Sequence, residues 1–299
     1  SAAFPANRGN VLSSIFEFSQ KRPNKEKVNT SLTLGSSDLA LLIDAPISKN
    51  SGLIFSARKS YLQFLFKALQ LPFLPEYNDI QFKYVNKLSD KSELTIIGLG
   101  AIDDFSINQE ANEGVEDLAT IERNQYILDY IPVQKQWNYT IGANYRYFSE
   151  KGFHTFVVSR NHLNNNAVKY SDNIKVDENL ILDYLSEEVE NKFRYEYTFG
   201  NKTSEINLGL GIEQSSYTND TYKPIPLTEG QVLSYNYNSE LNFLKYSLFS
   251  QFTNQFLNER LVTSLGIRTD FNSYSQINMN PLSQFAPRLS IGYYLNSNF

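Results

Sequence analysis

Apolar and polar residues alternate along six segments of this chain for longer than an ordinary soluble strand needs. Segment 136–147 is the clearest. Trp137, Tyr139, Ile141, Ala143, Tyr145 and Tyr147 fall on one face, and Gln136, Asn138, Thr140, Gly142, Asn144 and Arg146 on the other. Successive strand side chains point to opposite faces, so this segment has one apolar wall and one polar wall. In the same way Ile206, Leu208, Leu210 and Ile212 oppose Glu205, Asn207, Gly209, Gly211 and Glu213. Further on, Leu261, Leu265 and Ile267 oppose Arg260, Ser264, Gly266, Arg268 and Asp270. A transmembrane β-barrel asks for this pattern in strands of ~9–11 residues, apolar toward lipid and polar toward the lumen.

Extending the pattern predicts about twelve strands, at 28–34, 38–45, 52–61, 77–88, 93–105, 136–148, 152–161, 192–199, 205–215, 244–252, 260–270 and 285–295. Segment 93–105 departs from the rule by placing Ile97 and Leu99 on its polar face, where packed protein rather than water is expected. The connections alternate. Short turns at 48–51, 89–92, 149–151, 200–204 and 253–259 take turns with long links at 62–76, 106–135, 162–191, 216–243 and 271–284. Transmembrane barrels sort their connections in this way, short on the periplasmic side and long outside. Loops of this length are uncommon in compact soluble domains. Before the strand series come a short strand at 11–18 and a charged, proline-containing linker at 20–27.

Composition narrows the picture further. The mean hydropathy is −0.39, and the most apolar runs stop well short of the ~18 residues that a spanning helix requires. A barrel escapes that test because only every second residue meets lipid. Twenty Tyr and 21 Phe against one Trp and one Met is a strand-rich aromatic balance. Tyr also suits a membrane–water interface. Cysteine is absent, which fits passage through an oxidising periplasm and equally fits many cytosolic proteins. The formal charge of −5 argues against a nucleic-acid partner. The start of the chain lacks the basic and apolar parts of a signal peptide and does not begin with Met, so both ends are read as cut.

Candidate chemistry is sparse. Six arginines lie on or near the expected polar faces: Arg58, Arg146, Arg160, Arg194, Arg268 and Arg288. Facing the lumen, they would either steer anionic ligands or pair with neighbours such as Glu196 and Asp270; the second use is favoured, because polar walls need partners whatever they transport. His154 and His162 are the only histidines. At ~3.3 Å per residue they stand about 26 Å apart along one strand, too far to share a metal, and no metal site is expected. Glu110, Glu113, Glu116 and Asp117 read as a solvated loop face, as do Glu187, Glu188 and Glu190. Tyr217, Tyr222, Tyr235 and Tyr237 fall in a long outer link, where they would stack on a ligand or extend a hairpin above the membrane. No nucleophile–base pair, phosphate loop or metal motif stands out, so neither catalysis nor a cofactor is expected.

Several stretches carry a family resemblance. The run 4–18, with Asn7, Arg8 and Gly9 in a glycine-containing turn, resembles the end of the plug domain of TonB-dependent outer-membrane receptors. Ala45-Pro46-Ile47 followed by Phe55-Ser56-Ala57-Arg58-Lys59-Ser60-Tyr61-Leu62 resembles the first barrel hairpins of that family. Gly266-Ile267-Arg268-Thr269-Asp270 resembles a mid-barrel strand, and Pro287-Arg288-Leu289-Ser290-Ile291-Gly292-Tyr293 the strand after it. The order of these stretches runs nearly end to end.

The resemblance implies an all-β fold, about twelve strands of a transmembrane barrel of about 22. Residues 1–24 would be the end of the plug with its linker, and 25–299 a partial barrel, with Asn296 and its successors a shortened periplasmic turn. It implies active uptake of a scarce nutrient (siderophore, vitamin, peptide or glycan) across the bacterial outer membrane. It also implies coupling to a TonB-type energy-transducing complex through an upstream segment, contact with outer-membrane lipid, and a small-molecule or oligomeric ligand. The alternatives are a passive channel or adhesin-type barrel, and a soluble all-β binding protein.

Overall fold

The computed structural model describes residues 4–9, 11, 14–226 and 232–295. It is a single antiparallel sheet in which each strand pairs with its sequence neighbours. In chain order the strands are β1 (Asn29–Leu34), β2 (Asp38–Ser48), β3 (Ser51–Ser60), β4 (Phe73–Ser89), β5 (Ser92–Ile107), β6 (Val133–Phe148), β7 (Gly152–Tyr170), β8 (Leu180–Gly200), β9 (Ser204–Pro226), β10 (Val232–Phe256), β11 (Leu261–Asn272) and β12 (Phe285–Tyr293). All twelve expected strands form, and short and long connections keep their order.

Several short turns have a local chemical cause. In Ser48-Lys49-Asn50-Ser51 the two serine hydroxyls lie 2.8 Å apart, and the first also accepts from the Asn50 amide. Ser89-Asp90-Lys91-Ser92 repeats the clasp at 2.7 Å, with the Lys91 amide as donor. In the β8–β9 turn the side-chain Oδ1 of Asn201 does the same work, accepting from the amides of Thr203 and Ser204. Such side chains offer the backbone a turn in place of a continued strand.

Three sequence expectations need correction. Residues 14–18 form no strand; Leu12 and Ser13, and the terminal residues from Asn296, lie outside the described residues. The link 162–191 is mostly strand, because β7 runs to Tyr170 and β8 starts at Leu180. The link 216–243 is also mostly strand, in β9 and β10, which are 23 and 25 residues long. These lengths are about twice the ~9–11 residues that a bilayer-crossing strand needs. Two long links carry helices instead: α1 (Leu62–Ala68) after β3 and α2 (Leu118–Tyr130) after β5. The Asp117 side chain accepts from the Thr120 amide at 3.1 Å and so starts α2. Asn124 and Leu128 are the buried side of that helix.

Cross-strand register sorts every strand residue onto one of two faces. The face touched by the N-terminal segment is called inner here. Glu93 of β5 is on it, and so are its register partner Arg146 and, in turn, Thr155, Glu196, Gly209, Phe249, Arg268 and Ala286. Ile97 and Leu99 share that face, but Leu99 is 45% exposed, so packed protein does not cover it among the described residues. The other face is a broad apolar wall. Ile102, Ile141, Val158, Phe193, Ile212, Leu248, Leu265, Ile267 and Leu289 are all exposed on it. Only a handful of apolar side chains are buried among the described residues, Ala45, Val85 and Phe249 among them. A water-soluble domain buries its apolar residues in a core; an exposed wall of this extent marks an interaction surface. No helix among the described residues is long and apolar enough to cross a membrane.

Candidate functional site on the inner wall

The N-terminal segment is seated on the inner wall at two stations. At the first, the Ala6 amide donates to Gln251 Oε1 at 2.6 Å. Arg268 Nη1 donates to the Ala6 carbonyl at 3.2 Å, and Arg288 Nη1 meets the carbonyls of Pro5 and Arg8 at 2.6 and 2.7 Å. Ala6 is fully buried. A Cβ on Gly9 would collide with the Arg268 guanidinium, so the close approach requires glycine or a displaced arginine. At the second station Asp44 is the receiver: Lys21 Nζ pairs with it at 2.8 Å and the Asn24 amide donates at 2.7 Å. Lys83 Nζ donates to the Gln20 carbonyl at 2.7 Å, and Arg22 pairs with Glu93. The first station lies on β10–β12 and the second on β2–β5. The segment therefore runs across the inner face from one end of the sheet toward the other.

Next to the first station the wall carries a ladder of charge. Gly209 and Gly211 keep β9 low there, and long side chains from β8, β10 and β11 fill the space. Lys192 lies 2.7 Å from Glu190 and 3.2 Å from Glu213, and Lys245 lies 2.5 Å from Glu213. Two lysines and two glutamates thus neutralise one another. One row nearer the short turns, Arg194 Nε stands 3.1 Å from Glu196 Oε1. Both of those atoms are buried and neither makes a well-directed hydrogen bond, so theirs is a charge contact only. Arg268 grips Asp270 through two parallel bonds of 2.7 and 2.6 Å. A recess of about 690 Å³ opens between this ladder and Asn7, Arg8 and Gly9.

Five of the six arginines singled out in the sequence sit on the inner face. Arg58 bonds Asp79 at 2.7 Å and lies over the Tyr77 ring. Arg146 lies 5.9 Å from the Phe153 ring centroid. Arg194 and Arg268 face Glu196 and Asp270, and Arg288 holds the N-terminal carbonyls. Arg160 is the correction. Its register partners are Ile141 and Asn191, which places it on the apolar outer face rather than toward the lumen. Neither face of β7 is purely apolar, so the sequence pattern gave no means of choosing a side for it.

The tyrosines of the expected outer link are on strand extensions. Tyr217, Tyr235 and Tyr237 share the inner side, and Tyr222 takes the other. The Tyr235 and Tyr237 rings stand nearly parallel, 6.1 Å apart. Both histidines are on the outer face. His154 bonds the Tyr195 hydroxyl at 2.9 Å and stacks on Tyr197; His162 sits edge-on to Trp137. No group of three metal-ligating side chains occurs among the described residues. Two of the four acidic residues in the link 106–135 have structural partners: Glu110 pairs with Lys67 at 2.8 Å, and Asp117 starts α2. The role of Asp117 was legible from the helix-compatible, glycine-free run after it that ends before Pro132.

No protein-family model and no curated protein matches the sequence. Solved structures do match. The ferric enterobactin receptor PfeA of Pseudomonas aeruginosa superposes with a TM-score of 0.59 at 11% identity, over 93% of this chain and 41% of that one. The siderophore receptor PirA of Acinetobacter baumannii gives 0.58 at 12% identity, over 93% and 42%. The copper transporter OprC gives 0.58 at 11% identity, over 91% and 42%. These neighbours are transport receptors, not enzymes. The chain spans about two fifths of the length of the structures it matches. At such identities the likeness is one of fold: this chain has the antiparallel strand architecture of a TonB-dependent receptor barrel.

Proposed function

We propose that this chain is the barrel part, with the adjoining end of the plug, of an outer-membrane receptor that takes up a scarce nutrient with energy from a TonB-type complex. The observation that carries the reading is the N-terminal segment crossing the inner wall, anchored by Arg268 and Arg288 at one station and by Asp44 at the other. A polypeptide held across the lumen fits a plugged receptor better than an open, water-filled pore. The exposed apolar wall supports placement in a membrane, and the short-turn, long-link order supports long links outside the cell. Residues 1–24 are assigned to the plug and linker, and 25–299 to barrel. Coupling to the inner membrane is assigned to a segment upstream of residue 1. Siderophore, vitamin, peptide and glycan cargoes all remain compatible with the wall.

The test is nutritional. A strain lacking the full reading frame is grown against its parent on media limited in turn for iron, copper, cobalamin, peptide and glycan, in backgrounds with and without the coupling protein. The expected result is a growth defect on one medium that is reproduced by loss of the coupling protein alone. Uptake through the reading frame that survives loss of the coupling protein would replace this reading with a passive channel.

A further inference from the structure

Arg160 is a cation aimed into the apolar wall. Its Nε donates to the Tyr139 hydroxyl at 2.9 Å and its Nη1 to Asn191 Oδ1 at 2.9 Å. Asn191 in turn donates to Gln214 Oε1 at 3.3 Å. Tyr139, Arg160, Asn191 and Gln214 therefore form one polar rail across four adjacent strands, all on the outer face. A guanidinium has five N–H donors, and these bonds use two of them. Both acceptors are neutral, and no carboxylate lies within ion-pair distance of Arg160 among the described residues. A charge left unpaired beside an apolar surface is costly, so the rail calls for an anion.

The surface beside the rail fits one kind of anion. A furrow of about 530 Å³ begins at Arg160 and Asn191 and is lined by Ile96, Ala143, Val158, Phe193 and Ile212. Arg160 is eight residues beyond Gly152, about 26 Å along the strand at ~3.3 Å per residue. With strands tilted ~35–45°, that is about 20 Å of height, close to the upper edge of a ~25 Å apolar band. Trp137, Tyr139 and His162 cluster at the same level, as aromatic side chains do at a membrane interface. Toward the short turns a second outer-face cluster, Tyr147, His154, Tyr197 and Phe199, marks the lower edge.

We infer that the rail and furrow form a binding site for a phosphate-bearing lipid of the surrounding outer leaflet, with the phosphate on Arg160 and an acyl chain in the furrow. A free phosphate would satisfy the guanidinium but leave the furrow empty; a neutral lipid would fill the furrow but leave the charge unpaired. A lipid with both parts does both. The inference rests on the membrane reading proposed above.

The test uses the protein of the full reading frame, refolded into mixed micelles with equal amounts of phosphatidylglycerol and a phosphate-free lipid, monogalactosyl diacylglycerol, of the same acyl chains. Native mass spectrometry then counts the lipids retained. The wild type is expected to keep phosphatidylglycerol about tenfold over the galactolipid, as a charge-assisted bond to one phosphate implies. Arg160→Gln is expected to bring the ratio to about one. Ala143→Trp, which fills the furrow and leaves the rail intact, covers the case in which Arg160→Gln does not fold, and is expected to lower retention of both lipids. Equal retention by the wild type, or an unchanged ratio in Arg160→Gln, overturns the site. Failure of the membrane reading looks different: no heat-modifiable folded band forms in the micelles at all.

Discussion

Arg268 holds Asp270, two residues along the same strand, through both nitrogens of one edge of its guanidinium, and with Nη1 it holds the carbonyl of Ala6. The first bond pair fixes the plane of the guanidinium, and the third uses that plane to seat the N-terminal segment. Arg268 itself is buried. Arg268→Gln keeps some polarity but loses the fork, and should weaken the seat by about 1–2 kcal/mol. Cleavage by trypsin after Arg8 should then become about tenfold faster, since proteolysis follows the population of the open form. An unchanged cleavage rate would show that Arg288 and Gln251 hold the segment without Arg268.

Gly9 makes a complementary case from the other side of the same contact. An added methyl group there would sit within the space of a guanidinium that is already held by Asp270 and Ala6. Gly9→Ala should therefore reproduce the faster cleavage of Arg268→Gln. The double variant should add little, because the two changes act on one contact. Fully additive effects would mean that Gly9 is needed for its backbone freedom and not for the approach.

The strand series was legible because one face of each strand meets a different medium from the other, and a period of two records that difference. Where both faces are wet the record stops. The stretch from Asn164 to Asn166 and the one from Ser216 to Asp220 are polar on both sides, yet the structure continues β7 and β9 through them. Backbone pairing with β8 and β10 carries those strands on, and side-chain patterning has no part in it. Arg160 failed for a related reason. An arginine was assigned to the polar wall by its type, but the long side chain can sit on an apolar wall when its head reaches an interface. The anchoring contacts of Asp44 with Lys21 and Asn24 had no sequence signal, because they join residues from unrelated segments.

The four-charge cluster on the inner wall should behave as a unit. Lys245 and Glu213 are partly shielded from solvent and share Lys192 and Glu190 as neighbours. Removing one member leaves an excess charge, whereas removing a pair restores balance. A cycle of Lys245→Met, Glu213→Gln and the double variant should give a coupling of about 1–2 kcal/mol in urea unfolding from micelles. Additivity would mean that water screens these residues from one another as it does an ordinary surface pair.

Helix α2 supplies a pH-dependent element outside the spanning band. Hydrogen bonds from the Thr120 hydroxyl and amide hold the Asp117 carboxyl below its ordinary value. A depressed carboxylate stabilises the folded form at pH above its unfolded value of about 3.9 and loses that contribution as pH falls through its lower folded value. Hydrogen-exchange protection of the amides from Ile121 to Leu128 should accordingly be steady near neutral pH and fall below about pH 4. Asp117→Ala should lower protection at neutral pH and remove most of the acid dependence. If Asp117→Ala keeps the full acid dependence, another carboxylate governs the helix.

Trp137 is the only tryptophan in the chain, and it lies on the outer face in the aromatic cluster with Tyr139 and His162. Its fluorescence therefore reports from a single known position on the wall. In vesicles of lipids brominated at different depths, quenching should be strongest for bromines near the headgroup end of the acyl chains and weaker for those near the bilayer centre, as expected for an interfacial ring. Deep quenching would move the spanning band up the sheet by several residues, and with it the height assigned to Arg160. Absence of quenching at every depth, in a folded and vesicle-associated protein, would mean that this face does not meet lipid. The exposed residues Ile141, Val158 and Ile212 would then require a protein partner to cover them.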